Sequence, residues 1–142
     1  MSIVIWADGR LRSPSDPVAT AIDHGLTVGD GIFETCSVAD GRAFALTRHL
    51  RRLARSAHGL GLTDPDEDAI RTGVDAVLAA AGPDVGRLRI TVTAGPGPLG
   101  SNRAEPGTAR QTVLVLAGPA ARSDVSRAVS YTHLTLPTNR EV

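Results

Sequence analysis

No lysine occurs in these 142 residues, and all fifteen basic residues are arginine. The chain therefore has no side-chain amine that could condense with a carbonyl compound. A single cysteine excludes an internal disulfide and a Cys-based metal cluster. Aromatic residues make up only 3% of the chain, too few for the stacking platforms of a single-strand nucleic-acid binder. The formal net charge is zero, so no long-range field steers nucleic acid or an anionic membrane toward the molecule. No apolar run is long enough to span a bilayer, and MSIVIWADGR lacks the basic flank and long apolar core of a signal peptide. A cytoplasmic protein with no nucleic-acid, membrane or metal partner is the expectation. Arginine in place of lysine, with abundant alanine and glycine, matches coding bias in a GC-rich genome.

What is present suits one soluble domain with a real core: 42% hydrophobic and 21% charged residues. Ile3 to Trp6 followed by Asp8-Gly9 predicts a first β-hairpin. Ile32 to Ala39, the turn Asp40-Gly41 and Arg42 to Leu46 predict a second. Thr47 is the expected N-cap of a helix on which Leu46, Leu50, Leu53, Ala57 and Leu60 recur at helical spacing, with Gly59 and Gly61 as its stop. Asp64 is the expected cap of a second helix, with Pro65 in first position and Ile70, Val74, Val77, Leu78 and Ala81 as its stripe. Strands are expected over Arg87 to Ala94 and Thr112 to Ala117. Hairpins grouped around two helices predict an α+β two-layer sandwich, a mainly antiparallel sheet with two helices on one face.

Most suggestive pieces have bland explanations. Gly95-x-Gly97-x-x-Gly100 follows a strand, yet a dinucleotide site needs a helix opening at the third glycine, and Pro96 and Pro98 stiffen a loop instead. His24, His49 and His58 lack metal-ligand spacing, and Cys36 reads as a small buried hydrophobe. Arg48, Arg51 and Arg55 read as a solvated helix face. Arg52 differs, because His49, Arg52 and Ser56 share one flank of the helix beside its apolar stripe. A guanidinium held there can receive a phosphate through two parallel hydrogen bonds.

Together, Asp23-x-Gly25, Gly29-Asp30-Gly31-Ile32-Phe33-Glu34-Thr35, Gly41, Phe44, Leu46, His49-x-x-Arg52-Leu53-x-x-Ser56 and Leu60-Gly61 form a long pattern. It resembles the N-terminal domain of the class IV aminotransferases, the fold-type IV pyridoxal-phosphate enzymes. GDGIFET with GPGPLGS is most similar to the 4-amino-4-deoxychorismate lyase-like members. The resemblance implies pyridoxal 5'-phosphate as cofactor, Arg52 as the residue binding its phosphate, and Phe33 and Thr35 as substrate-facing residues. It implies a small-molecule amino-acid or aminodeoxychorismate substrate, and a homodimer for the full-length parent. Catalytic residues are expected to be absent here, since the Schiff-base lysine and the carboxylate at the pyridine nitrogen come from the family's second domain. In D-amino-acid aminotransferases an arginine and a histidine in the loop hold the substrate carboxylate; Leu99 and Ser101 stand there in this chain. That departure counts against a D-amino-acid enzyme. The reading the resemblance implies is the lyase, releasing pyruvate from 4-amino-4-deoxychorismate to give 4-aminobenzoate, with a branched-chain or D-amino-acid aminotransferase as the alternative. The rival of another class is a non-catalytic domain that binds a phosphorylated ligand or associates with itself.

Residues 1–125 are thus expected to be the N-terminal domain, and 126–142 a truncated linker with a non-native tail. VSYTHLTLPTNREV, Val129 to Val142, holds the only tyrosine and departs in composition from what precedes it. It resembles translated sequencing-adapter read-through.

Overall fold

The computed structural model describes residues 3–120 apart from 106 and 109. The expectations for the linker and the foreign tail lie outside the described residues. Two Asp-Gly turns organise the hairpins. Asp8 and Gly9 take φ of 52° and 85°, and Asp40 and Gly41 take 53° and 73°, the paired positive values of a tight two-residue hairpin turn. The first joins β1 (Val4–Ala7) to β2 (Arg10–Arg12), with Ala7 opposite Arg10. The second joins β3 (Gly31–Ala39) to β4 (Arg42–Ala43), with Ala39 opposite Arg42. The return arm is shorter than expected, because Leu46 already belongs to a helix.

With β5 (Arg87–Thr93) and β6 (Thr112–Gly118), these strands form one six-stranded sheet in the order β2-β1-β6-β5-β3-β4. Every neighbouring pair is antiparallel. Alternation then sorts the side chains. Ile32, Glu34, Cys36 and Val38 of β3 face inward, level with Leu88, Ile90 and Val92 of β5 and with Val115 and Ala117 of β6. Phe33, Thr35 and Ser37 face the other way and are exposed. Among the described residues β4 meets β3 only at Val38 and Ala39, so the outer edge of β3 from Gly31 to Thr35 carries no strand.

Helices α2 (Leu46–Leu60) and α3 (Glu67–Ala81) cover the inward face, and a single turn, α1 (His24–Thr27), precedes β3. Leu50, Leu53 and Ala57 of α2 and Ile70, Val74 and Val77 of α3 are buried in one core with the sheet. The α+β sandwich with both helices on one face is as expected. Two caps are corrected. The chain enters α2 through Ala45 in the left-handed region, φ 55°, with no side-chain cap, and Thr47 lies inside the first turn. The β4 hairpin delivers the chain into the helix two residues early, leaving Thr47 Oγ1 to accept from Arg71 Nη2 at 3.2 Å. At α3 the cap is Asp66, whose carboxylate accepts from Ala69 N at 3.0 Å, so Pro65 precedes the helix. Glu67 and Asp68 still occupy the positive end of the dipole.

Two helical glycines predict opposite outcomes for one substitution. A Cβ on Gly73 would lie 2.6 Å from Trp6 Cε3 and 3.0 Å from Val115 Cγ2, so α3 presses on the sheet there. Gly73→Ala should cost about 1–3 kcal/mol through overpacking. Gly59 has nothing within 4 Å of the same position, and Gly59→Ala should stabilise by about 0.5 kcal/mol. Urea unfolding midpoints measure both, and equal signs would contradict this packing.

Candidate functional site

Strand β3 and helix α2 meet so that Glu34, on the inward face, lies beneath the flank bearing His49, Arg52 and Ser56. Glu34 is only 8% exposed, and a buried carboxylate needs partners. His49 Nδ1 donates to its Oε1 at 2.7 Å, and Arg52 Nε lies 3.7 Å from the same oxygen. This anchors the Nε side of the Arg52 guanidinium, while the side chain stays 58% exposed. It borders an open cleft of about 330 Å³ lined by Glu34, Arg52, Arg55 and Ser56. Among the described residues, neither the Arg52 terminal nitrogens, the Arg55 guanidinium nor the Ser56 hydroxyl has a hydrogen-bond or ion-pair partner. Three donor groups without acceptors around one cleft suit an anion.

The sequence expectations divide here. Arg52, the expected phosphate anchor, is largely exposed and lines an open cleft beside Glu34. Arg51 lines a different groove with Asp64 and Glu67, between α2 and α3. Arg55 is a correction: it shares the Arg52 cleft rather than pointing elsewhere. Its position three residues beyond Arg52 keeps it on the same flank. Phe33 and Thr35 do not line that cleft; the pleat turns them to the opposite face of the sheet. There Arg89, directly across from Thr35, stacks on the Phe33 ring at 4.0 Å and donates from Nε to Thr91 Oγ1 at 3.2 Å. The two groups of residues therefore flank the bare edge of β3 from its two sides.

A buried polar knot supports the start of β3 and the loop after β5. Asp23 is 1% exposed and accepts from Gly25 N at 2.8 Å, from Thr93 Oγ1 at 2.7 Å and from Thr112 Oγ1. It thus caps α1 and joins β5 to the foot of β6. The loop is seated closely: His24 N donates to Gly95 O and Gly97 N to Ile22 O. A Cβ on Gly97 would fall 2.4 Å from His24 Nε2. His24 Nε2 donates to Pro98 O at 2.8 Å, which leaves Nδ1 as the bare nitrogen of the ring, buried, without a hydrogen-bond partner among the described residues and 3.9 Å from Asp30 Oδ2. Among the described residues no helix opens after Gly100, so the loop is no dinucleotide fold.

Arg103 closes the far end of this loop. Its Nε and Nη2 donate to the two oxygens of Asp30 at 2.7 Å each, and Nη1 and Nη2 reach Gly61 O and Leu60 O at 2.8 and 2.6 Å. One side chain thus joins the loop, the start of β3 and the C-terminal carbonyls of α2. Its hydrogen bonds hold the Asp30 carboxyl below the usual carboxylate range, against an opposing push from burial. A depressed carboxylate lends stability above its unfolded value and loses it as pH falls through the folded one, so acid loosens this tie. Asp23 and Arg103 were not legible as site supports, since Arg103 meets Asp30 across 73 residues of chain. Cys36 is inward-facing and 1% exposed, and burial pushes its thiol up to about 11, as suits an inert core residue.

Another cleft, of about 650 Å³, lies between the β1–β2 turn and the start of α3, but Asp8, Asp64 and Asp66 line it and would repel an anion. Among the described residues no group of His, Cys, Asp or Glu has the arrangement to hold a metal ion. No helix among them is long and apolar enough to cross a membrane.

Comparison with known proteins shows the family and the fold. A family model described as amino-transferase class IV matches residues 31–140. A bifunctional aminodeoxychorismate lyase / D-amino acid transaminase of Mycobacterium tuberculosis is 36% identical over 96 residues, which is 66% of this chain and 33% of that protein. Among solved structures, the PLP-bound form of a hypothetical aminotransferase from Mycobacterium tuberculosis superposes with a TM-score of 0.73 at 30% identity, covering 87% of this chain and 42% of that one. The 4-amino-4-deoxychorismate lyase of Pseudomonas aeruginosa gives 0.66 at 32% identity, covering 82% and 40%. The chain spans less than half the length of each.

Proposed function

This chain belongs to the amino-transferase class IV family, and from that premise we propose that it is the phosphate-binding half of a pyridoxal-phosphate enzyme acting as an aminodeoxychorismate lyase. The observation that carries the cofactor reading is the convergence on one open cleft of Arg52, Arg55 and Ser56, whose Arg52 terminal nitrogens, Arg55 guanidinium and Ser56 hydroxyl have no acceptor among the described residues. The donor set fits a phosphate monoester. Arg52 would bind the phosphate with its outer nitrogens while Glu34 holds its inner edge. Phe33 and Thr35, on the other side of the β3 edge, would face substrate, and the loop Gly95 to Ser101 would border its pocket. When bound, the cofactor supplies an electron sink for carbon–nitrogen and carbon–carbon chemistry next to an amine. The lysine that moves the proton has no counterpart among this chain's residues.

The lyase reading rests on the similarity to lyases and on Leu99 and Ser101, which leave the loop without the charged pair expected of a D-amino-acid enzyme. Leu99 is 86% exposed, so an apolar side chain occupies the loop tip. The second reading, transamination of a branched-chain or related amino acid, is kept by the charge that Arg89 places beside Phe33. A cytoplasmic homodimer is the assembly proposed for the complete enzyme. The test is to read the source gene beyond Val129, where a lysine followed by a glutamate is expected, and to assay that product. 4-Aminobenzoate and pyruvate from 4-amino-4-deoxychorismate support the lyase, while amino-group exchange without them replaces it by the transaminase.

The chain by itself should be unable to hold the cofactor covalently through a side chain. After incubation with pyridoxal 5'-phosphate and borohydride reduction, mass spectrometry should find a pyridoxyl group only on the α-amine, since lysine is absent. A reduced adduct on an internal peptide would contradict this.

A further inference from the structure

We infer that Arg55 is a second phosphate-binding residue of the cleft, supplying the positive charge that Glu34 takes from Arg52. This rests on the phosphate reading given above and goes beyond it, which assigned the anchoring to Arg52. The argument begins with charge. Glu34 is inward-facing, 8% exposed and 3.7 Å from Arg52 Nε, so this carboxylate and this guanidinium sum to zero. A phosphate monoester carries about −1.5 to −2 charges near neutral pH. A neutral pair is a poor receptor for that charge, even with the hydrogen-bonding fork well placed. His49 Nδ1 is turned to Glu34 Oε1 at 2.7 Å and donates its hydrogen there rather than to the cleft.

Arg55 restores the balance. It lines the same cleft as Arg52, Ser56 and Glu34, and no carboxylate among the described residues pairs with it. Its spacing of three from Arg52 places the two side chains on one flank of α2, with Ser56 between them and the next turn. Arg51, one residue before Arg52, faces the acidic groove beside Asp64 and Glu67 and is excluded from the cleft. The helix thus divides its adjacent arginines by direction: Arg52 and Arg55 toward the anion, Arg51 toward acids.

The test uses this chain with pyridoxamine 5'-phosphate, which has no aldehyde and so binds only non-covalently, and unphosphorylated pyridoxamine as control. Arginine side-chain Nε–H resonances are followed by NMR during titration. The Arg52 and Arg55 signals should both move saturably with the phosphorylated compound and not with the control. Arg55→Ala should raise Kd about fivefold, as expected for one charge-assisted contact in an open cleft. Arg55→Lys should stay within about twofold of the native value, because the charge is kept. Arg51→Ala should also stay within about twofold, and Arg52→Ala should weaken binding by about tenfold or more. If Arg52→Ala weakens binding and Arg55→Ala matches Arg51→Ala, the role of Arg55 is overturned and the phosphate reading stands. If the native chain shows no saturable shift, or Arg52→Ala is without effect, both are overturned.

Discussion

Asp23→Ala is expected to lower stability by about 3–5 kcal/mol, the largest effect of any single polar substitution described here. Gly25 N–H, the Thr93 hydroxyl and the Thr112 hydroxyl all donate to this one carboxylate, which is 1% exposed. Alanine offers no acceptor to any of the three donors. Each stranded donor costs about 1–3 kcal/mol, and the hydroxyls recover part by turning. The loop should loosen as well, because Thr93 Oγ1 also accepts from Gly95 N at 3.0 Å. Asp23→Asn keeps an acceptor for Gly25 N–H or Thr93 and should lose less than half as much. Denaturant unfolding measures both. A loss below about 1 kcal/mol for alanine would contradict the three-donor arrangement.

In the complete enzyme, Arg52→Ala is expected to weaken cofactor retention by about 3 kcal/mol, roughly a hundredfold. Two losses add: the fork of charge-assisted hydrogen bonds, and the counterion of Glu34, which remains beside the phosphate as a buried negative charge. Arg51→Ala removes an arginine of equal charge one residue away and should change retention little, since its side chain lies in another groove. Dialysis followed by cofactor absorbance compares them. Equal retention in the two variants would reduce Arg52 to a solvated arginine.

What could be read from the sequence was local or repeated. Asp8-Gly9 and Asp40-Gly41 encode their turns in two residues, because few others tolerate paired positive φ. The stripes through Leu50, Leu53, Val74 and Val77 identify both helices and their buried faces. The caps were misplaced where several residues compete. Asp64 and Asp66 bracket Pro65, and which of them caps depends on how the preceding loop arrives. Ala45 enters the left-handed region because the short β4 hairpin forces it, and nothing in an alanine announces that. Arg52 was legible through a long pattern of surrounding residues. Arg55 was not, since its direction gains meaning only when the edge of β3 places Glu34 beneath the same flank. Arg103 and Asp30 pair across the fold, where no periodicity reaches.

Among the described residues the outer edge of β3 from Gly31 to Thr35 carries no strand, which makes it a template for stray strands. Backbone donors and acceptors exposed along such an edge invite a second chain to extend the sheet, the first step toward aggregation. Phe33 and Thr35 lie along it with their side chains on the outer face, residues well suited to a growing β-sheet. Glu34 lies among them and points inward. A strand added alongside would close over its carboxylate and separate the charge from what water still reaches it. The residue that orients an arginine thereby also discourages copies of the chain from stacking edge to edge.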